Sequence, residues 1–208
     1  DADGYYTYQG RTDDMFKVEP VIRTWQAVYS MHDPARTTDT VTSATTGHAV
    51  WSWINNRLLV WESGAHFWKP DEIVADMFRV DEEYRPVALG IEVDSLNEFI
   101  MQPLRQEQIR RGFSIPIRAL KAPKGKYDFI RGLQPFFKAG EVLFAKPLPE
   151  LVQQLLSFPT GRIDAPNALA YALRMRPGVP IYDGFGLQHI VEEIPQTKRV
   201  PHWLAING

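Results

Sequence analysis

The amino-acid sequence predicts an α/β fold: a mixed sheet in which three antiparallel strands are followed by parallel strands, with helices flanking the sheet. Three observations predict this class. Two runs rich in aromatic and β-branched residues surround Asn55-Asn56, a pattern typical of a hairpin. The run VALGIEV over 87–93 is almost continuously apolar, as in a strand covered on both faces. After residue 70, helical and extended patterns alternate, which favours strands joined through helices.

The first three strands are predicted to be antiparallel neighbours. A β-prone segment over 24–31 is halted by Pro34, which cannot donate to a strand ladder, so Asp33 lies at the carboxyl end of the first strand. The runs over 48–54 and 57–63 form the hairpin. Because the connections are short, each strand is expected to pair with the next.

The second half of the chain alternates helices with strands. A helix begins at Pro70 and ends before Pro86, and its apolar residues recur at helical spacing. The strand over 87–93 ends at Glu92, and we expect it beside the first strand. The other predicted elements are helices over 96–111, 127–139, 148–158 and 165–175, an edge strand over 113–120 that contains Pro116, and a short strand over 142–145.

The predicted elements divide the chain into three segments. Residues 1–22 lack clear periodicity and are interpreted as a linker or lead-in. Residues 23–175 hold the predicted sheet and helices, and 208 residues suffice for one substantial core. Residues 176–208 contain four prolines and are interpreted as an extended tail.

The composition is that of a soluble globular protein, with 44% hydrophobic and 23% charged residues. The absence of cysteine excludes disulfides and thiolate metal sites. No run approaches the roughly 18 apolar residues of a membrane-spanning helix, and the acidic, polar start lacks the apolar core of a signal peptide. We therefore expect a cytoplasmic protein.

The net charge of −2 argues against a protein that coats nucleic acid, but the charges are unevenly distributed. Between Arg105 and Lys138 there are nine Lys or Arg and two Asp or Glu, whereas between Asp71 and Glu98 there are nine Asp or Glu and two Lys or Arg. The two blocks either neutralise each other across one surface or form a carboxylate-rich metal site beside a phosphate-binding surface. Charge counting leaves both interpretations open.

Three carboxylates, Asp33, Glu92 and Asp164, each lie at the end of an element that is predicted to reach the same rim of the sheet. Singly, Asp33 is explained as a turn former, Glu92 as the partner of an arginine, and Asp164 as a helix cap. Together they would need a counter-charge, which divalent cations supply. Oxygen ligands suit Mg²⁺ or Mn²⁺, and two such ions roughly 4 Å apart support the attack of water on a phosphodiester. In this hypothesis Asp33 bridges both ions, while Glu92 and Asp164 each bind one.

The remaining candidates are basic, histidine and aromatic residues. Lys121, Lys124, Lys126 and Arg131 are interpreted either as a solvated cluster or, given the carboxylates, as contacts to DNA phosphates. The five histidines lack a paired metal spacing, and His32 is assigned a structural role. Aromatic residues on the hairpin are interpreted as core and sheet-face packing in preference to base stacking; they are Trp51, Trp53, Trp61, Phe67 and Trp68.

Four sequence motifs follow one another over about residues 24–175. They are HDPARTTD; VALGIEVDSLNEFI; the lysine-bearing KAPKGKYDFIRGLQP followed by GEV; and GRIDAPNALA. In this order they resemble the nuclease domain of viral, bacteriophage-type DNA-packaging terminase large subunits. The resemblance implies a ribonuclease H-like fold and two-metal cleavage of concatemeric double-stranded DNA, with Asp33, Glu92 and Asp164 as ligands. It further implies an ATPase motor, a small terminase subunit and a portal as partners, in the cytoplasm of an infected bacterial cell.

The sequence departs from the family pattern at the last motif, where Asn167 stands at a position at which an aspartate is common. Asp94 and Asp39 are therefore the candidates for outer-shell carboxylates. No GxxxxGK[ST] phosphate loop is present, so this chain lacks the motor's ATP site. Two alternatives stay open: another ribonuclease H-type enzyme, such as a junction resolvase or transposase core, and a non-catalytic module that grips or docks DNA.

Overall fold

The computed structural model describes residues 6–8, 15–17, 27–35, 45–93, 98–177, 181–182 and 188–189. Its strands are β1 (Tyr6–Tyr8), β2 (Met15–Lys17), β3 (Val28–Asp33), β4 (Thr46–Ile54), β5 (Arg57–His66), β6 (Ala88–Val93), β7 (Ile117–Lys121), β8 (Val142–Phe144), β9 (Ile181–Tyr182) and β10 (Gln188–His189). Its helices are α1 (Pro70–Tyr84), α2 (Glu98–Arg111), α3 (Lys126–Arg131), α4 (Gln134–Lys138), α5 (Pro149–Ser157) and α6 (Asp164–Ala170), followed by a 3-10 turn over Tyr171–Leu173.

The strands β1 to β8 form one mixed sheet in the order β2-β1-β8-β5-β4-β3-β6-β7. The meander β3-β4-β5 is antiparallel, whereas β6 pairs in parallel with both β3 and β7, and β8 pairs in parallel with β5. The predicted α/β mixed sheet is therefore confirmed, including the position of β6 beside β3 and of β7 at an edge.

The hairpin turn explains why β4 and β5 pair as predicted. Asn55 and Asn56 have φ values of 48° and 66°, in the left-handed region that a tight two-residue turn requires. Asparagine enters this region more readily than most residues, since its side chain bonds locally. A bulge between Val50 and Trp51 in the β4 register then shifts the pairing along β5.

Each face of the sheet is covered by its own layer of helices. One core packs α1 and α2 over residues such as Val50, Leu89 and Ile91. The other packs α5 and α6 over Met31, Trp51 and Phe144. Successive residues of a strand therefore enter different cores, as the alternation of side chains in a strand dictates. No helix among the described residues has the length and apolar character needed to cross a bilayer.

Three predicted elements differ most from the structure. The single helix predicted over 127–139 is two helices, α3 and α4, because Gly132 and Pro135 interrupt it and Pro135 has no N–H to donate. The helix predicted over 165–175 tightens into the 3-10 turn after Ala170. The edge strand begins at Ile117, after Pro116, and not at residue 113.

The predicted lead-in contributes β1 and β2, which extend the sheet beyond β8. Within the predicted tail, β9 and β10 pair with each other as a small separate sheet. Three-residue and two-residue strands are too short for a periodic pattern to reveal. The division of the chain at residues 22 and 175 stays a prediction.

Candidate active site

Asp33 and Glu92 lie on neighbouring parallel strands at the rim where both strands end. His32 of β3 is paired with Ile91 of β6, so the two carboxylates follow one position further along. Because side chains alternate along a strand, both point to the α6 side, away from the face on which His32 and Ile91 lie. Asp33 is only 7% exposed.

Asp164 is brought to this rim by the packing of α6 against β4. It is the first residue of α6, and its backbone lies over Gly47, which is the antiparallel partner of Asp33. A Cβ at position 47 would lie 2.2 Å from the Asp164 carbonyl oxygen, so only glycine permits this approach. The three predicted site residues therefore meet in one region, although they are far apart in the sequence.

Each carboxylate accepts a hydrogen bond from a neutral side chain. Asn167 Nδ2 donates to Asp33 Oδ2 at 2.7 Å, Thr45 Oγ1 donates to Asp164 Oδ2 at 2.5 Å, and the Tyr171 hydroxyl donates to Glu92 Oε2. The sequence interpretation missed Thr45 and Tyr171 entirely and noted Asn167 only as a departure from the family pattern. Positions 164, 167 and 171 are spaced by three and four residues, the spacing of one helix face, and this signal could have revealed the set.

Lys126 lies among the carboxylates. Its Nζ is 3.2 Å from Asp33 Oδ2, and its side chain is about two-fifths exposed. Burial alone would lower the pKa of Lys126, but the negative charge of Asp33 and, more weakly, those of Glu92 and Asp164 raise it overall. The ammonium thus supplies the positive charge that this cluster needs.

The protonation of Asp33 reflects competition between burial and charge. Burial, the largest effect, raises the pKa of the Asp33 carboxyl, and the neighbouring Glu92 raises it further. Lys126 and the Asn167 hydrogen bond lower it, leaving a pKa of about 6. Asp33 therefore holds its proton more tightly than an exposed aspartate does.

The carboxylate oxygens of Asp33, Glu92 and Asp164 are the type of ligand that a hard divalent cation binds. In the structure, however, these side chains are not close enough together to coordinate one ion. In the described parts of the chain, no three or more His, Asp or Glu side chains are arranged closely enough to hold a metal ion. The hydrogen bonds from Asn167, Tyr171 and Thr45 each go to one oxygen of Asp33, Glu92 and Asp164, respectively. The buried Oδ1 of Asn167 has no partner among the described residues. Oxygen donors of this kind are those that Mg²⁺ and Mn²⁺ prefer.

The predicted DNA-binding residues are distributed unequally. Lys124 is exposed, and Arg131 forms an exposed ion pair with Asp128 at 2.9 Å. Lys121 ends β7, and its carbonyl oxygen accepts a hydrogen bond from Arg174 at 2.7 Å. With Lys126 held by Asp33, contact between this set and DNA stays a prediction. Asp39 and Asp94, the outer-shell candidates, lie outside the described residues.

His32 lies on the opposite face of the sheet from Asp33. Its Nε2 is 2.8 Å from Asp76 Oδ2 of α1, and Asp76 in turn accepts a hydrogen bond from Arg79 Nε at 2.7 Å. The arrangement fits the structural role assigned to His32, since the ring fixes α1 against β3.

Among the aromatic residues of the hairpin, Trp51 is fully buried and Trp53, Trp61 and Trp68 pack against the cores. The packing prediction is wrong for Phe67, which is 47% exposed. Phe67 comes after the last residue of β5, so it lies beyond the sheet, and the Arg162 guanidinium lies over its ring at 4.8 Å.

The fold matches that of known viral nucleases. The human cytomegalovirus terminase nuclease domain superposes with a TM-score of 0.53 at 14% identity, covering 74% of this chain and 86% of that one. A Mn-soaked, inhibitor-bound structure of that domain gives 0.52 at 14% identity, over 72% and 83% of the two chains. The nuclease domain of the large terminase subunit gp2 of bacterial virus Sf6 gives 0.49 at 11% identity, over 71% and 87%.

Comparison by sequence gives no match, either to a family model or to a curated protein. The likeness to the cytomegalovirus domain confirms the predicted ribonuclease H-like fold and the resemblance to terminase nuclease domains at the level of fold. Because fold alone does not determine chemistry, function must be argued from the carboxylates and their surroundings.

Proposed function

We propose that this chain is a metal-dependent endonuclease that hydrolyses phosphodiester bonds of double-stranded DNA. The proposal rests chiefly on one observation: Asp33, Glu92 and Asp164, carried by three separate elements, meet around Lys126 at one rim of a nuclease fold. Three carboxylates against the single ammonium of Lys126 leave a net negative charge, which a bound divalent cation would offset. The preference of such oxygens for Mg²⁺ and Mn²⁺ supports the choice of cofactor.

In this proposal Asp33, Glu92 and Asp164 would together hold the divalent ions. Such ions, when bound, supply the positive charge that activates water and stabilises the departing 3′-oxygen. Asn167, Tyr171 and Thr45 keep one oxygen of each carboxylate fixed, so that the other oxygen stays available to a ligand. No side chain of the cluster has to act as a general base.

Lys126 has two tasks in this scheme. In the metal-free protein its ammonium neutralises Asp33, which reduces repulsion within the cluster. In the complex with DNA, Lys126 turns to a phosphate close to the scissile bond, and Lys121, Lys124 and Arg131 contact phosphates further along the backbone. Contacts of this kind are independent of DNA sequence and weaken with salt.

The biological reaction that we propose is the cutting of concatemeric viral DNA during genome packaging in an infected bacterial cell. In that setting the chain works with an ATPase motor, a small terminase subunit and a portal. The terminase-like order of motifs supports this part of the proposal.

Incubation of the protein with supercoiled plasmid and Mn²⁺ tests the proposal. The wild type should nick and linearise the plasmid, and Asp33→Ala should abolish cutting while leaving duplex binding nearly intact. Failure to cut at any Mn²⁺ or Mg²⁺ concentration would favour the docking-module alternative. Cutting of four-way junctions in strong preference to linear duplex would favour a resolvase.

A further inference from the structure

We propose that Arg162, stacked on Phe67, forms a second DNA-phosphate contact on the side of the carboxylate cluster opposite to Lys121. The inference rests on the proposed function, since it places a phosphodiester strand at this rim, and it identifies a surface that the sequence motifs did not indicate. The residues that carry it are both exposed, and neither takes part in the carboxylate hydrogen bonds.

The position of the pair follows from the strand register. Phe67 comes directly after β5, whose last residue, His66, is paired with Thr46 of β4, and the neighbouring Gly47 is paired with Asp33. Arg162 is two residues before Asp164. The pair therefore lies at the rim that holds the carboxylates, about 10 Å from Asp33 at two strand spacings.

The sheet order places the basic residues on both sides of the cluster. Phe67 follows β5 and Lys121 ends β7, while β3 and β6, which carry Asp33 and Glu92, lie between these strands. A strand of DNA that crosses the rim over Asp33 would therefore meet Lys121 on one side and Arg162 on the other. The about 10 Å between Asp33 and the Phe67–Arg162 pair corresponds to roughly three base-pair steps along the DNA axis.

The chemistry of the pair suits a phosphate. Within the described residues Arg162 forms no ion pair with a carboxylate, although Asp164 is only two residues away in the sequence. The contact of the guanidinium carbon with the Phe67 ring uses none of the guanidinium N–H groups as donors to a carboxylate, which leaves them available. Those N–H groups match the oxygens of a phosphate, which Arg binds in a bidentate manner.

The structure offers a matched control. Arg176 lies over the Trp53 ring at 4.9 Å, nearly the same contact as that of Arg162 over Phe67, but it bonds Asn56 of the hairpin turn. The hairpin turn is at the opposite end of β4 and β5 from the carboxylates. Arg176→Ala therefore removes a stacked arginine of the same kind without altering the rim.

The test is duplex binding by fluorescence anisotropy in EDTA, across a series of salt concentrations, so that no cutting occurs. Arg162→Ala should weaken binding several-fold and reduce the slope of log K against log salt by about one, whereas Arg176→Ala should leave both unchanged. Phe67→Ala should weaken binding less, and the double variant should bind no more weakly than Arg162→Ala.

The inference is overturned if Arg162→Ala keeps the wild-type salt slope, or if the wild type does not bind duplex at all. Wild-type cutting combined with an unchanged slope in Arg162→Ala would reject this contact and leave the nuclease proposal standing. If the wild type never cuts but Arg162→Ala reduces the salt slope, the contact stands and the nuclease proposal is rejected. For an active enzyme, Arg162→Ala should raise KM with little change in kcat, a split that a purely structural role would not produce.

Discussion

The Tyr171 hydroxyl donates a hydrogen bond to Glu92 Oε2 across 79 residues of sequence. Tyr171 is fully buried, and Phe129 packs against its ring at 5.0 Å. The tyrosine therefore has little freedom to move away, and its hydroxyl restricts the Glu92 side chain to one orientation.

Tyr171→Phe should weaken Mn²⁺ binding by about tenfold or more, because loss of an outer hydrogen bond to a metal ligand typically costs that much. The fold should persist, since the ring is retained. Titration calorimetry with Mn²⁺ measures the change. Tyr84→Phe is the control: it removes a hydroxyl that donates to Glu62 at 2.8 Å in the α1 layer, on the other face of the sheet. Equal losses of Mn²⁺ affinity in Tyr171→Phe and Tyr84→Phe would contradict a specific role for Tyr171.

The stability of the metal-free protein should fall as the pH rises through the titration of Asp33. Its pKa is about 6 in the folded protein against a reference of 3.8, chiefly because of burial. The folded state therefore binds this proton more tightly, and the resulting stability is complete below about pH 4 and lost as pH approaches 6. A two-unit difference corresponds to about 3 kcal/mol.

Asp33→Asn removes this loss. In EDTA at pH 8 the variant should be more stable than the wild type by up to about 3 kcal/mol, and the advantage should vanish near pH 4. Loss of the ion pair between Lys126 and Asp33 reduces the gain in the free energy of unfolding at pH 8. Urea denaturation at the two pH values measures it. Asp128→Asn, at an exposed ion pair, should show no such pH-dependent difference. A gain that is the same at both pH values would refute the assignment to Asp33.

Gly47→Ala should destabilise the protein and weaken metal binding together. The new Cβ would lie 2.2 Å from the Asp164 carbonyl oxygen, so α6 must shift, and forced overpacking costs about 1–3 kcal/mol. Gly125→Ala is the control, because its Cβ would meet nothing closer than 3.6 Å. Thermal unfolding and Mn²⁺ titration of both variants check the prediction, and unchanged metal affinity in Gly47→Ala would count against it.

Asn167→Asp should destabilise the metal-free protein and increase its stabilisation by Mn²⁺. Asn167 is fully buried and donates to Asp33, so a carboxylate there loses the donor and adds a negative charge. An uncompensated buried charge costs about 3–5 kcal/mol. The rise in melting temperature on adding Mn²⁺ should exceed that of the wild type, and Asn55→Asp at the exposed hairpin turn should behave like the wild type. Equal rises in the melting temperature of the wild type, Asn167→Asp and Asn55→Asp would contradict this prediction.

The sequence predicted the fold and two of the strand ends well because their signals are local. Pro34 marks the end of β3, the apolar run over 87–93 marks β6, and Asn55-Asn56 marks the hairpin. Such signals depend on a few adjacent residues whose backbone preferences are strong. Interruption of the helix after Arg131 was also encoded, in Gly132 and Pro135, but the apolar pattern on both sides concealed it.

The hydrogen-bond partners could not be predicted in the same way. Thr45 and Asp164 are 119 residues apart, and their contact exists only because α6 packs on β4. Lys126 looked like a solvent-exposed loop lysine because its pairing with Asp33, 93 residues away, is a property of the tertiary structure. Phe67 was misassigned because the hairpin pattern does not show where the sheet stops.

Helix α6 and the turn after it supply Asp164 itself, the amide that holds Asp33 and the hydroxyl that holds Glu92. A polypeptide still emerging from the ribosome would present Asp33 and Glu92 long before α6 exists. Under the proposed function such an unfinished copy should be unable to cut DNA, because its cutting centre is completed only when α6 docks.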